Sequence, residues 1–422
     1  MTIRRLSLAA GLGLALVGVA CHNDELLTPP VPAYAGGAMF VRYVSLGNSL
    51  TAGFQSGGIN DSTQRQSYPV LMAAQMGGDP FYRPSFNYVP ALNLWGCPPP
   101  IDSLFAQAAP TAPPPHTLGG ASAPPCSLRS APPPPYISNV AVPGATVLDP
   151  FHAGPTPTAN ALTLFILGGR SQVEAAAAAQ PTFVSVWIGN NDVLGAATDT
   201  ANGGNPAEVT DTTTFRARYD SLLTALDAIG TIKGGILIGV VDVGAAPYFS
   251  YGFYYYGAFA GGQLPPTMTV LPNCAPPPVP GGIGDTVLVP FRYGFGLIAA
   301  AAAGATDTLD CLDDHNIEPA ELANIHAAVA TYNGVISARA TTRQWAYVDP
   351  NVALAALRAP TDTVDVRPFP YTPPDTAAVT RPFGKAFSKD GIHPSAATHK
   401  LIANLLIQAI NTTYSSAIPS IP

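Results

Sequence analysis

The chain has 422 residues, of which 47% are hydrophobic and only 11% are charged, against about 25% charged residues in typical soluble proteins. Its formal net charge is -7 at pH 7. This balance offers no basic surface for phosphate backbones, which argues against nucleic acid as a partner. The length allows one large domain with insertions, or two ordinary domains.

Residues 1–21 have the pattern of an export signal. Two arginines precede an apolar stretch at residues 6–20, which is shorter than the roughly 20 residues that a membrane-spanning helix needs. Two interpretations of its end stay open. Residues 18–20 fit an ordinary signal-peptidase site, whereas Ala20-Cys21 resembles the lipobox of bacterial lipoproteins and implies a lipid on Cys21. We therefore expect a periplasmic or outer-membrane-anchored lipoprotein, or otherwise a secreted protein.

The next stretch, residues 22–38, holds three prolines and two glycines, which is typical of a tether and not of a packed element. The folded domain is predicted to occupy residues 39–422. Within it, two segments have no convincing helical or strand period, at about residues 79–135 and 245–316. Both are rich in proline, and we interpret them as long inserted loops rather than separate domains.

Short apolar runs rich in valine and isoleucine predict five buried strands. They lie at residues 41–46, 137–142, 182–188, 236–243 and 345–348. Four amphipathic helices are predicted at residues 67–76, 215–229, 318–339 and 395–410. Alternation of strands and helices predicts an α/β fold of three layers, α/β/α, with a mostly parallel five-stranded sheet.

The cysteines favour an oxidising compartment. Apart from Cys21, the chain has four, an even number, which allows three sets of disulfides, and the sequence does not choose among them. The most local set joins Cys97 to Cys126 and Cys274 to Cys311, and would staple each of the two inserted segments. The chain contains no Cys-x-x-Cys pair, so the sequence does not indicate a zinc ribbon.

Candidate catalytic groups follow several of the predicted strands. A serine needs a base to remove its proton, and the oxyanion that then develops needs fixed N–H donors. In an open α/β sheet such groups meet beyond the carboxyl ends of the strands. Ser49, Gly144 and Asn191 each follow a predicted strand, while Asp390 and His393 precede the last helix.

The ordered blocks around these residues resemble those of the SGNH, or GDSL, hydrolases. The blocks are Gly47-Asn48-Ser49-Leu50, the segment 139–145 centred on Gly144, Gly189-Asn190-Asn191-Asp192 and Asp390-Gly391-Ile392-His393-Pro394. The resemblance spans residue 41 to about residue 410, apart from the two inserted segments. Residues 66–71 resemble a lipoprotein branch of that family. The resemblance implies a flavodoxin-like fold and an ester hydrolase that needs no cofactor.

The resemblance also implies roles for single residues. Ser49 would be the nucleophile, His393 the general base, and Asp390 the carboxylate that orients the imidazole. The backbone N–H groups of Ser49 and Gly144 and the side-chain amide of Asn191 would form the oxyanion hole.

Several other residues could have a functional or a purely structural role. The family usually has aspartate where this chain has Asn48, whose amide oxygen can still accept hydrogen bonds. His399 is expected to be a surface histidine of the last helix. The acidic cluster next to His315 is interpreted as solvated and not as a metal site. The aromatic run 248–256 either lines a substrate groove or packs the second inserted segment onto the core.

These features together predict an exported carboxylic-ester hydrolase that forms an acyl-serine intermediate. Its expected substrates are acetylated glycans or short-chain acyl esters, and we expect no metal and no cofactor. Two alternatives stay open. The protein could be a non-catalytic surface lipoprotein that uses the same fold for binding, or an acyltransferase, since hydrolysis and transfer share the acyl-enzyme.

Overall fold

The structure is a computed structural model that describes residues 37–87, 96, 134–151, 161–357 and 382–422. The predicted signal peptide, nearly all of the tether, Cys21, Cys97 and Cys126 lie outside the described residues. Within those ranges, no helix combines the length and the apolar character that a membrane span requires.

The described residues form eight strands and twelve α-helices. The strands are β1 (Tyr43–Gly47), β2 (Phe183–Trp187), β3 (Gly234–Ile238), β4 (Phe249–Tyr251), β5 (Met268–Val270), β6 (Leu288–Pro290), β7 (Asp307–Leu309) and β8 (Ala346–Val348). The helices are α1 (Ser49–Ala52), α2 (Asp61–Arg65), α3 (Tyr68–Met76), α4 (Ala161–Leu167), α5 (Gln172–Ala179), α6 (Asn191–Thr198), α7 (Thr212–Asp227), α8 (Gly252–Ala260), α9 (Phe291–Ala302), α10 (Pro319–Arg343), α11 (Pro350–Leu357) and α12 (Ala396–Tyr414).

The central sheet confirms the predicted α/β class. Its four strands are parallel, in the order β1-β2-β3-β8. The expected fifth strand is reduced to one bridge between Ser45 and Asn139. Even so, the Ser45 N–H donates to the Ser138 carbonyl at 2.8 Å and the Val142 N–H donates to the Gly47 carbonyl at 3.1 Å. The segment therefore lies along the outer edge of β1 and brings Gly144 to the end of that strand.

Helices cover both faces of the sheet because successive strand side chains point in opposite directions. Val44, Val184 and Leu237 belong to one buried cluster, with side chains of α5, α7 and α10. Phe183 and Ile236 belong to a second cluster, with side chains of α3 and α12. Residues buried on both faces explain why the strands appear in the sequence as continuous apolar runs.

Local sequence sets the helix ends. Asp211 caps α7 by accepting from the Thr213 and Thr214 N–H groups, so this helix begins three residues before the predicted start. Ser395 caps α12 by accepting from the Thr398 N–H. That helix continues to Tyr414, four residues past the predicted end.

The second inserted segment is not the irregular loop that the sequence suggested, and that prediction is wrong. It contains α8 and α9, an antiparallel pair of β4 with β6 and a parallel pair of β5 with β7. A disulfide joins Cys274 to Cys311, and both cysteines are buried in a separate apolar cluster. The strands have three residues each, which is too short to give a detectable period in the sequence.

The aromatic run 248–256 packs this segment onto the core. Tyr248 and Phe249 belong to the main buried cluster, and Tyr255 is fully buried in the cluster of the insertion. A Cβ atom on Gly294 of α9 would lie 2.2 Å from the hydroxyl oxygen of Tyr255 in α8, so these two helices are in close contact. The packing alternative therefore describes these three residues.

The insertion is also bonded to the loop that carries the candidate acid and base. The Tyr248 N–H donates to the Gly391 carbonyl at 2.9 Å. Nearby, Phe291 at the start of α9 meets the ring of Phe383 edge to face, with 5.3 Å between ring centroids. The position of the 388–394 loop consequently depends on the insertion as well as on the central sheet.

Candidate active site

The candidate nucleophile lies on the first turn after β1. Gly47 ends the strand with φ of 156°, and a Cβ atom there would lie 2.5 Å from the Trp187 carbonyl oxygen, so only glycine fits. Asn48 then caps α1, its Oδ1 accepting from the Leu50 N–H at 3.1 Å. Ser49 is thus the first residue of the helix, and it is 7% exposed.

The backbone before Ser49 is held by a side chain from another helix. Gln172 of α5 accepts from the Gly47 N–H through Oε1 and donates to the Gly47 carbonyl through Nε2, each at 3.0 Å. Gln172 is fully buried, so water does not compete for these bonds. The pair fixes the direction in which the chain enters the Ser49 turn.

Ser49, His393 and Asp390 form one hydrogen-bonded series. Nε2 of His393 lies 2.9 Å from the Ser49 Oγ, and its Nδ1 lies 2.8 Å from Asp390 Oδ2. The imidazole also packs against the ring of Phe54, with 4.8 Å between centroids. The three predicted triad residues, which are separated by up to 344 positions, therefore meet in the arrangement expected for proton transfer from serine to histidine.

Four donors besides the imidazole surround the Asp390 carboxylate. Oδ2 accepts from the Gly57 N–H at 2.7 Å, and Oδ1 accepts from the Ile392 and His393 N–H groups and from the Ser388 hydroxyl at 2.9 to 3.0 Å. Burial by itself would raise the pKa of Asp390, but the His393 imidazole and the backbone donors outweigh it and lower the pKa to about 2. The carboxylate is held ionised opposite Nδ1 of the imidazole.

The predicted oxyanion-hole groups come from three parts of the chain: Ser49 begins α1, Asn191 begins α6, and Gly144 lies on the loop that follows the segment beside β1. Gly144 has φ of 80°, and neither its N–H nor that of Ser49 donates to another described residue. Asn191 lines the same cleft as Ser49 and His393, and also a neighbouring hollow that Gly144 lines. Its Nδ2 donates to the Ala145 carbonyl at 2.8 Å, which ties it to the Gly144 loop and leaves a second N–H on the same nitrogen.

Asp192, next to Asn191, is buried and forms a hydrogen bond to the backbone of the Gly144 loop. Its Oδ2 accepts from the Val147 N–H at 2.9 Å, and the residue is 1% exposed. Burial raises the pKa of Asp192 to about 7, since only a few hydrogen bonds oppose desolvation of the charged form. Asn191 and Asp192 together hold the backbone that follows Gly144 at two positions, the Ala145 carbonyl and the Val147 N–H.

His399 is fully buried, so its prediction as a surface residue is wrong. Nδ1 of His399 accepts from the Tyr68 N–H at 3.4 Å, across the contact between α12 and α3. Burial, with a smaller contribution from His393, lowers the pKa of His399 to about 3, so the ring is neutral at physiological pH. The residue occupies the core beside the site and is not a second candidate base.

The cleft around the triad has mostly apolar walls. Apart from Ser49, His393, Asn190 and Asn191, it is lined by Leu50, Leu194, Val241, Val243, Ala246, Leu354, Phe387 and Ile392. Asn190 is turned into the protein, where its Oδ1 accepts from the Val241 N–H at 2.8 Å. Apolar walls exclude water and strengthen the electrostatic interactions among the polar groups.

The acidic cluster before His315 lies in the insertion. Asp313 accepts a short hydrogen bond from the imidazole of His315, which stacks on Tyr293 with 4.5 Å between centroids. Among the described residues, no group of three or more His, Cys, Asp or Glu side chains is arranged to hold a metal ion.

Three residues that contribute to the site were not predicted from the sequence. Gln172 fixes Gly47, while Gly57 and Ser388 donate to Asp390. Ser388 could have been suspected because it lies two residues before Asp390. No local signal identifies Gln172 or Gly57, because each meets its partner only after the chain has folded.

Together the parallel sheet and the Ser–His–Asp series at its carboxyl edge have the geometry of a serine hydrolase. A family model described as GDSL-like lipase/acylhydrolase matches residues 43–406. The chain belongs to this family, which makes it a hydrolase of ester bonds, and the resemblance noted in the sequence is confirmed.

Several solved structures are similar to the chain at low identity. A catalytic mutant of an acetylxylan esterase from Geobacillus stearothermophilus has 14% identity and a TM-score of 0.37, over 90% of this chain and 96% of that one. An α/β hydrolase from the metagenome of Lake Arreo has 15% identity and a TM-score of 0.36, over 90% of this chain and 98% of that one. A structure from Parabacteroides merdae, assigned by its description to the GDSL-like lipases, has 12% identity and a TM-score of 0.35, over 91% of this chain and 99% of that one. No curated protein matches the chain in sequence.

Proposed function

We propose that this ester hydrolase works through a Ser49–His393–Asp390 triad and an acyl-serine intermediate. The observation that carries the proposal is the 2.9 Å contact between His393 Nε2 and Ser49 Oγ, with the opposite ring nitrogen 2.8 Å from Asp390. A base within this distance can take the hydroxyl proton as the oxygen attacks.

In the first half of the reaction, Ser49 Oγ bonds to the carbonyl carbon of the ester while its proton moves to His393 Nε2. The carbonyl oxygen becomes an oxyanion, which the N–H groups of Ser49, Gly144 and the Asn191 side chain stabilise. Ionised Asp390 stabilises the imidazolium. The tetrahedral intermediate then expels the alcohol oxygen, which receives the proton from Nε2, and the acyl group stays on Ser49.

In the second half, water takes the place of the alcohol. His393 removes a proton from that water as it attacks the acyl carbon, and the same N–H groups stabilise the second oxyanion. Collapse releases the carboxylic acid and returns the proton to Ser49. Apart from the ester and water, residues of this chain supply every group used in the two halves, and we propose acetylated glycans or short-chain acyl esters as the substrates.

A fluorophosphonate probe tests this mechanism, because it phosphonylates only a serine that a base activates. We expect one adduct per chain, located on Ser49 by peptide mass spectrometry, together with turnover of p-nitrophenyl acetate. A Ser221→Ala variant, which removes an exposed serine of α7, should label like the wild type. The proposal is wrong if turnover occurs without an adduct on Ser49, or if neither is seen.

We further propose that the protein is exported and carries a lipid on Cys21. Support comes from the apolar stretch at residues 6–20 and the Ala20-Cys21 junction. When the full chain is produced in a Gram-negative host, we expect the mature N-terminal peptide to begin at Cys21 and to have the mass of an acylated cysteine. Cys21→Ser should release the protein from the membrane fraction. A mature protein that begins after Cys21, or retains residue 1, would contradict the proposal.

A further inference from the structure

A second apolar space, which we call the side cavity, opens beside the catalytic cleft. The two spaces share five wall residues, namely Leu50, Val241, Leu354, Phe387 and Ile392. Two of these are chain neighbours of the triad, because Leu50 follows Ser49 and Ile392 precedes His393. A group attached to Ser49 Oγ would therefore sit in the cleft, with the side cavity on the other side of these shared wall residues.

Among the described residues, the side cavity offers no polar partner to a ligand. Its described walls come from the ends of β2, β3 and β8 and from α11 and α12, and of these residues only Trp187 and Thr398 have polar side-chain atoms. Both are already bonded within the protein: Trp187 Nε1 donates to the Gly239 carbonyl at 2.8 Å, and Thr398 Oγ1 donates to the Ala386 carbonyl at 2.7 Å. A sugar ring placed there would lose its hydrogen bonds to water without replacement.

From this shared wall and this chemistry we propose that the side cavity binds the unbranched hydrocarbon chain of the acyl group that is transferred to Ser49. The inference rests on the proposed function, and it narrows the substrate class to esters of linear fatty acids. The alcohol part of the ester is then left to the open side of the cleft, where Asn191 and the Gly144 loop lie.

The size of the side cavity bounds the length of this chain. It has a volume of about 90 Å³, and the catalytic cleft has about 50 Å³. An apolar cavity of roughly 150 Å³ in another protein stays dry and binds benzene, so spaces of this order accept small hydrocarbon groups. The two spaces together come close to that volume, so we take an acyl chain of about four to six carbons as the fit. An acetyl group would leave the side cavity empty.

Chain length is the direct test. Each methylene moved from water into an apolar cavity favours binding by about fourfold. With the full chain and p-nitrophenyl esters from acetate to decanoate, we expect kcat/KM to rise at least tenfold between acetate and hexanoate, and then to level off or fall by decanoate. This measurement requires no variant, so it remains decisive if a substituted protein fails to fold.

A pair of variants on α11 locates the effect. Ala353 lines the side cavity but not the catalytic cleft, and phenylalanine there would fill the space. We expect Ala353→Phe to lower the ratio of hexanoate to acetate kcat/KM about tenfold. The matched control is Ala355→Phe, which adds the same ring to an exposed position of the same helix and should keep the wild-type ratio. Melting curves show whether each variant is folded.

The outcomes separate this inference from the proposed function. If the wild type hydrolyses acetate through Ser49 but the rate does not change with chain length, the inference is overturned and the triad mechanism stands. The same holds if folded Ala353→Phe keeps the hexanoate preference, as it would if another part of this chain filled the side cavity. If the wild type hydrolyses none of the esters, both proposals fail.

Discussion

Replacing Ser49 with alanine is expected to lower kcat for p-nitrophenyl acetate by about a hundred thousandfold to a millionfold, because a triad acts as a unit and loses nearly all of its effect with its nucleophile. The described part of the cleft supplies no substitute nucleophile. Its other polar side chains are those of Asn190, Asn191 and His393, none of which is a hydroxyl or a thiol. The residual rate should come from His393 acting on water, with the oxyanion donors still in place.

Steady-state kinetics of Ser49→Ala beside Ser221→Ala would measure this effect. The exposed Ser221 hydroxyl donates to the Ala217 carbonyl of its own helix, so its loss should leave kcat within a factor of two. Folding should be unchanged in both variants, as judged by melting temperature. Comparable rates for Ser49→Ala and the wild type would mean that hydrolysis takes place elsewhere or by another route.

The second large effect is expected from Asp390→Asn, which should lower kcat about ten thousandfold. Five donors converge on this carboxylate, and every one requires an acceptor. An asparagine has one oxygen and one NH₂ group, so whichever way it turns, an N–H faces another donor. If the NH₂ group faces His393, the imidazole presents an acceptor there and holds its proton on Nε2, where it cannot accept from Ser49.

Asp313→Asn is the matched control for Asp390→Asn. Asp313 also accepts from a histidine close in sequence, but it lies in the insertion and lines neither the cleft nor the side cavity. Its substitution should leave kcat within a factor of two. If both variants lost activity equally, the effect of Asp390→Asn would be attributed to folding and not to the triad.

Asp390→Asn should also change how stability depends on pH. The pKa of Asp390 is lowered to about 2 in the folded protein, below its ordinary value of 3.8. The ionised group therefore stabilises the fold above about pH 4, and this contribution is lost as the pH falls through 2. The wild type should exceed the variant by roughly 2 kcal/mol in free energy of unfolding at pH 7, and by less at pH 3.

The catalytic elements were predictable from the sequence because each combines two local signals. The run that becomes β1 is apolar, and it ends in a glycine and a small polar residue. The Asp390–His393 pair lies at the start of an amphipathic helix. A parallel sheet gathers such strand ends at one edge, so order along the chain is enough to anticipate that they meet.

His399 shows where the same method failed although a signal existed. It precedes Ala403, Leu406 and Ile410 by four, seven and eleven positions, a spacing that places all four on one face of a helix. The three apolar residues are buried, and so is the histidine. Residue type suggested the surface, whereas the helical period indicated the core, and the period was the better guide.

The second insertion could not have been predicted in the same way. Its strands are three residues long, which is too short to show a period in the sequence. Its core also contains the disulfide between Cys274 and Cys311. This bond belongs to only one of the three sets of disulfides that the four cysteines allow. The fold of this segment follows from contacts that are distant in sequence.

The bond from the Tyr248 N–H to the Gly391 carbonyl has an evolutionary consequence. It joins the insertion to the loop of the acid and the base through main-chain atoms alone. Every amino acid except proline supplies that N–H, so the link itself makes no demand on the side chain at position 248, whereas the packing of Tyr248 in the main buried cluster does. At the other end of the bond, Gly391 has φ of 70° and no room for a Cβ atom beside Phe383, so the junction selects for glycine at one end and excludes proline at the other.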